Sequence, residues 1–116
     1  MACLQMWPML RGEVWWVEFD PALGSEIRKT RPGVIVSNNA ANRNLSRVIV
    51  VPLTSNTERL FPGEASVSVA GAASKAMSDQ IMTADKVRLK SRLGELSKAD
   101  MLAVEAAIRV QLALPK

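Results

Sequence analysis

From residue 13 to residue 19 the chain reads Glu-Val-Trp-Trp-Val-Glu-Phe, a β-branched and aromatic stretch that predicts a first strand. Trp15, Val17 and Phe19 fall on one side of it, Val14 and Trp16 on the other. Both sides are therefore apolar, as in a small closed sheet wrapped around its own core. Asp20-Pro21 ends the strand. Residues 32–37 (PGVIVS) predict a second strand, with Pro32 confined to its first position because proline cannot donate to a ladder. An Asn/Ala-rich connection at 38–44 leads to residues 47–54 (RVIVVPLT), a strongly buried third strand in which Pro52 marks an edge or a bulge. After a polar turn at 55–59, residues 64–70 (EASVSVA) alternate as a half-buried strand does. A Gly/Ala/Ser turn then precedes a strand at 76–83. Residues 86–92 carry a cation at every second position, and 93–96 form a short last strand.

The helical pattern falls at residues 97–114. Ser97 and Asp100 have the spacing of a capping box with the shorter acid. Met101, Val104, Ile108 and Leu112 make an apolar stripe, widened by Ala107, Val110 and Leu114, and Glu105 and Arg109 are spaced as an exposed pair. The sum is a mainly β fold, a small antiparallel barrel of five to seven strands with one C-terminal helix.

Composition narrows the chemistry. A chain of 116 residues with 48% hydrophobic and 22% charged positions is one folded domain. Residues 1–10 are apolar but lack a basic start and a cleavage pattern and are too short to span a bilayer, so they are expected to be an N-terminal extension to a domain at 11–116, with Met6 and Met9 as alternative starts. The lone Cys3 has no partner within the chain, which fits a reducing, cytoplasmic setting. A net charge of +4 suits a polyanionic partner. With no histidine, no cluster of acids and no glycine-rich phosphate loop, a Ser/His/Asp triad is impossible, and metal or nucleotide cofactors are not expected.

Catalysis by this chain would rest on Arg, Lys, Glu, Asp, Thr or Ser. RNA phosphodiester transfer suits that inventory, because the substrate brings its own nucleophile, the 2′-hydroxyl. A guanidinium forks onto two phosphate oxygens, and a nearby hydroxyl adds a neutral hydrogen bond. The loop that follows the first strand holds Glu26, Arg28, Lys29 and Arg31 with no apolar run to bury them. Arg31 at its end and Thr54 at the end of the third strand are the natural pair.

An ordered set of motifs carries a family resemblance: Gly12-Glu13-Val14-Trp15, Asp20-Pro21, Gly24-Ser25-Glu26, Arg31-Pro32-Gly33-Val34-Ile35-Val36-Ser37, Val50-Val51-Pro52-Leu53-Thr54-Ser55 and Asp79-Gln80-Ile81. Across residues 11–114 the chain resembles the MazF/PemK/Kid toxins. The resemblance implies a homodimeric SH3-like barrel of the MazF/CcdB type. It implies a ribosome-independent, sequence-specific, metal-independent endoribonuclease that cuts single-stranded messenger, transfer or ribosomal RNA, leaving 2′,3′-cyclic phosphate and 5′-hydroxyl ends. It also implies a cognate MazE-like antitoxin, an acidic segment that folds into the RNA site. Carried over by position, Arg31 and Thr54 match the family's catalytic pair. Glu26 lies beside the RNA, and Asp79 and Gln80 match a pair that contacts bases. Met82 stands where relatives often have Arg or Lys, and Gly33 replaces Ala or Val, a change expected to loosen packing slightly.

Each residue also has a plainer reading. Arg31 could answer Glu26, Thr54 could bond its own turn, and Asp79 and Gln80 could satisfy backbone groups. Lys86, Arg88, Lys90 and Arg92, if extended, would line one face as an aggregation-resistant edge or track phosphates, Lys86 and Arg88 foremost. Trp15 and Trp16 are expected in the core or a dimer interface. Phe19, at the loop mouth, is the aromatic best placed to meet a base, with Arg28, Lys29 and Ser55 as further RNA contacts. Two other functions remain open: a CcdB-like topoisomerase poison on the same fold, and a non-catalytic RNA-binding barrel.

Overall fold

Strand alternation here builds two cores on one sheet. The computed structural model describes residues 9–19 and 29–115. Within them run β1 (Glu13–Phe19), β2 (Lys29–Ile35), α1 (Asn39–Asn44), β3 (Arg47–Thr54), β4 (Glu64–Val69), β5 (Ala72–Met77), β6 (Met82–Asp85), β7 (Leu89–Glu95) and α2 (Lys98–Leu112). The strands are antiparallel in the order β4-β5-β3-β2-β1-β7, with β6 also paired to β3, in a barrel-like sheet that, among the described residues, does not close as expected because β4 and β7 at its two ends do not pair. Val14, Val34, Val51 and Leu53 meet Val104 and Met101 of α2 on one face. Trp15, Val17, Ile35, Val48, Val50 and Leu89 close the other. The two-sided apolar pattern of β1 is thus used on both sides, and each such side chain removed from water contributes about 1.5–3 kcal/mol.

β1 and β3 have the expected bounds, and several other elements shift for identifiable reasons. β2 begins three residues early, so Pro32 sits inside the strand rather than at its start. That position is tolerated because β2 pairs with β3 only from Gly33 onward. Pro52 lies in the gap on the outer edge of β3, between the stretch paired with β6 (Arg47–Val50) and the stretch paired with β5 (Leu53–Thr54). The connection at 38–44 winds into α1, because the Asn38 side chain caps it by accepting from the Ala41 N–H at 2.8 Å. The strand expected at 76–83 is instead β5, a 3₁₀ turn at Ser78–Gln80, and β6. Ala70 and Gly71 both take positive φ, 50° and 84°, so two residues suffice for the β4–β5 hairpin and β5 starts at Ala72.

The cation comb at 86–92 does not form one extended face. Lys86–Arg88 is a 3₁₀ turn and β7 starts at Leu89. In α2, Ser97 accepts from the Asp100 N–H at 3.1 Å, but the Asp100 carboxylate reaches across to the Ser68 N–H at 2.9 Å, stapling the helix to β4 instead of completing a capping box. Glu105 pairs with Arg11 at 2.9 Å, not along the helix with Arg109. Only the first half of the apolar stripe is buried: Met101, Val104 and Ala107 are inside, whereas Val110, Leu112 and Leu114 are exposed. Of the expected N-terminal extension, Met9 packs against the second core and the Leu10 N–H donates to Glu13. No described helix is long and apolar enough to cross a membrane.

Candidate active site at the open end of the β2–β3 ladder

β2 and β3 pair Ile35 with Val50, Val34 with Val51 and Gly33 with Pro52, and there the ladder stops. The sequence accounts for the stop: Pro52 occupies the last rung and Pro32 the next position, and neither has an N–H to give. A cleft of about 390 Å³ lies beyond it, lined from β2 by Arg31 and from β3 by Thr54, with Trp16, Ser55 and Ser74 completing its rim. Continuing the Gly33–Pro52 register by two residues brings Arg31 opposite Thr54. Opposite residues share a face. Arg31 pairs on its other side with Val17 of β1, and Thr54 with Lys75 of β5. The two residues chosen from sequence are therefore neighbours on one face, where an apolar surface gives way to a polar opening.

Both side chains are half-buried. The Thr54 hydroxyl oxygen accepts from the Asn56 N–H at 3.2 Å, which fixes the oxygen and leaves the hydroxyl hydrogen free to donate. The plainer reading of Thr54, that it bonds its own turn, thus holds alongside its place in the cleft. Asn56 in turn accepts from the Glu58 N–H at 3.3 Å, so the loop after β3 is braced from its first residues. At its far end Glu64 accepts from the Phe61 N–H at 2.9 Å and pairs with Lys75 at 3.1 Å. The Phe61 amide, aided by Lys75 and opposed by burial, holds the Glu64 carboxyl below its ordinary range.

The tryptophans divide differently from expectation. Trp15 is 7% exposed, with its indole N–H donated to Glu13 at 3.0 Å, and belongs to the second core. Trp16 is 37% exposed and stands on the cleft rim, paired with Pro32 next to Arg31. Sequence reasoning missed it, although strict alternation after a buried Trp15, together with its place opposite the Arg-Pro motif, was the available signal.

Of the other candidates, Ser55 is exposed at the cleft. Phe19 is half-buried, packed against the second core and over Gly33. Gly33 does not loosen this packing: a Cβ there would sit 3.3 Å from Val17 Cγ2 and 3.6 Å from Phe19 Cζ. Arg88 donates to the Glu18 carbonyl at 3.3 Å, close to the end of β1. Lys86 donates to the Asn42 carbonyl of α1, so the two cations serve different neighbourhoods. Lys90 pairs with Glu18 at 3.5 Å, and Arg92 with Glu13 at 3.3 Å and Glu95 at 2.8 Å. Asp79 and Gln80 are exposed on the 3₁₀ turn between β5 and β6, where Gln80 donates to Met77 Sδ, and among the described residues they do not line the cleft. Lys29 opens β2 opposite Phe19. Glu26 and Arg28 lie outside the described residues. Among the described residues no three of His, Cys, Asp and Glu group as metal ligands.

Known proteins share this fold and part of this sequence. A family model described as PemK-like, MazF-like toxin of type II toxin–antitoxin system matches residues 10–112. Endoribonuclease MazF9 of Mycobacterium tuberculosis is 36% identical, over 91% of this chain and 98% of that protein. Endoribonuclease MazF of Staphylococcus epidermidis is 32% identical, over 90% and 91%. Among solved structures, an endoribonuclease from a mycobacterial species superposes with a TM-score of 0.79 at 31% identity, covering 96% of this chain and 97% of the other. A mycobacterial endoribonuclease in complex with its cognate antitoxin superposes at 0.76 and 31%, covering 92% and 97%. With a match running nearly end to end, the chain belongs to the PemK-like, MazF-like toxins of type II toxin–antitoxin systems.

Proposed function

We propose that this toxin is a sequence-specific, metal-independent and ribosome-independent endoribonuclease that cuts single-stranded RNA at the cleft between Arg31 and Thr54. The observation that carries the reading is the meeting of that guanidinium and that hydroxyl, distant in sequence, on one face at the open end of the β2–β3 ladder. An unpaired strand passes with its scissile phosphate between them. The substrate's 2′-oxygen bonds to phosphorus, the bond to the 5′-oxygen breaks, the 2′-hydroxyl proton leaves to solvent, and the departing 5′-oxygen takes up a proton. The products are a 2′,3′-cyclic phosphate and a 5′-hydroxyl. Arg31 holds two phosphoryl oxygens with its fork and stabilises the charge that grows on them. Thr54 gives its free hydroxyl hydrogen to the same group, where charge grows in the transition state. Trp16 and Ser55 border the path of the flanking nucleotides, and Phe19, Lys29 and Arg88 lie toward the end of β1. Glu26, Arg28, Asp79, Gln80 and Lys86 remain candidate RNA contacts outside this pair.

Two partners follow. A second copy is favoured by the exposed Val110, Leu112 and Leu114 at the end of α2, apolar surface that a homodimer would cover. An antitoxin is favoured by the mycobacterial relative solved with its own, and by a cleft whose Arg31 suits an acidic segment. Both partners fit a cytoplasmic protein. Sequencing the 5′ ends of fragments from one long purified transcript tests the proposal. Recurrent cuts within a short motif, bearing 5′-hydroxyl ends and absent with Arg31→Ala, are expected. An intact transcript overturns it and favours a topoisomerase poison or a non-catalytic RNA binder.

A further inference from the structure

Lys75 is a cation on the outward face of β5, yet it is only 8% exposed. Lysines are almost never buried unless they are paired, and this one is paired three ways. Its ammonium lies 3.1 Å from Glu64 Oε1, donates to the Arg59 carbonyl at 2.8 Å and stands 5.8 Å from the Phe61 ring centroid. Arg59 and Phe61 belong to the segment between β3 and β4, and Glu64 is the first residue of β4. In the β3–β5 ladder Lys75 is the residue directly opposite Thr54. The segment that Lys75 holds at its far end is thus the one whose near end fixes the Thr54 oxygen, through the Asn56 N–H.

These bonds form a ring. Thr54 accepts from Asn56, Asn56 accepts from Glu58, the Arg59 carbonyl accepts from Lys75, and Lys75 returns to Thr54 across the ladder. We propose that Lys75 is a positioning residue for RNA cleavage: by anchoring the β3–β4 loop at Arg59 and Glu64 it locks the loop that orients the Thr54 hydroxyl and carries Ser55, one wall of the cleft. It acts through Thr54 and touches neither the phosphate nor the bases, its donors being spent on the loop. The inference rests on the proposed nuclease reading, in which Thr54 acts on the scissile phosphate.

The test is a kinetic cycle on an oligoribonucleotide carrying the cut site mapped on the long transcript. Lys75→Met keeps reach and bulk while removing the charge. It is expected to lower kcat about tenfold, with KM within about twofold, because a misplaced catalytic group costs rate rather than binding. Lys75→Arg, which again offers a cation to the Arg59 carbonyl, is expected to restore most of the loss. In a Thr54→Val background Lys75→Met is expected to change kcat less than about twofold, since the group it positions is gone. If Lys75→Met folds poorly, the Lys75→Met/Glu64→Gln double variant removes both buried charges together and enters the same cycle. Wild-type kcat in the Lys75 variants, a rise in KM alone, or equal fold losses in both Thr54 backgrounds would each overturn the inference. A wild-type protein that leaves the oligoribonucleotide uncut overturns the nuclease reading itself, which is a separate outcome.

Discussion

Replacing Thr54 by Val deletes one oxygen from the cleft and little else. The side chains are nearly isosteric, the residue is half-buried at a strand end, and valine suits a strand at least as well as threonine. The structural loss is one 3.2 Å hydrogen bond from the Asn56 N–H, which lies in an exposed loop where water can replace it. That loss costs about 0.5–1 kcal/mol, a shift of a few degrees in melting temperature for a domain this size. The catalytic loss is larger. A neutral donor aimed at developing phosphoryl charge contributes about 2.7–4 kcal/mol in a closed site, and this cleft is open to solvent on one side, so the lower end applies. The expected outcome is a fall in kcat of about a hundredfold, with KM nearly unchanged because the uncharged hydroxyl adds little to ground-state binding. Thr54→Ser, which keeps the oxygen, should retain most of the rate. The assay is steady-state cleavage of an oligoribonucleotide carrying the mapped site, alongside thermal melts of all three proteins. A folded Thr54→Val protein with the parental kcat would refute the assignment, as would a loss confined to KM.

How much of this was legible beforehand differs from element to element. β1 and β3 emerged with their bounds because each is a long β-branched run, whereas Arg31 and Thr54 fit the fork and hydroxyl that a metal-free phosphate site wants but stand out from their plainer readings only through the ordered motif set. Their meeting could not be read from either strand alone, since it depends on a register fixed by Gly33–Pro52 and on a ladder that ends at two prolines. The misplaced strand at 76–83 shows the limit of local pattern. The turn before it needs only Ala70 and Gly71, so β5 starts at Ala72, and a 3₁₀ turn at Ser78–Gln80 divides the stretch itself; both outcomes depend on pairing with β4 and β3. The charged residues were least legible, because composition says how many cations exist but not whom they face. Glu105 turns to Arg11, Asp100 to Ser68, and Lys86 to a helix carbonyl. Lys75 carries no local signal: in sequence it is one lysine among alanines and serines, and its burial is created by a loop that folds back from sixteen residues earlier.

The remaining predictions bear on charge. Arg31→Ala should remove nearly all cleavage while leaving the melting curve close to the parental one, and a folded variant that cuts at the parental rate would reject Arg31 as the phosphate ligand. Cleavage should persist in excess EDTA; activity abolished by the chelator and restored by a divalent ion would place the protein in another enzyme class. Acid should act on the loop latch through Glu64. Its carboxyl is held low chiefly by the Phe61 amide and then by Lys75, so the folded state favours the carboxylate more than the unfolded chain does. The stability this contributes is complete above the ordinary glutamate value of 4.5 and disappears as pH falls through the lower, folded value. Glu64→Gln lacks that contribution at every pH. The gap in melting temperature between wild type and Glu64→Gln should therefore be constant near neutrality and narrow steadily as pH drops below about 4.5. A gap that stays unchanged into strong acid, or one that widens there, would show that Glu64 is not held as a carboxylate by this latch.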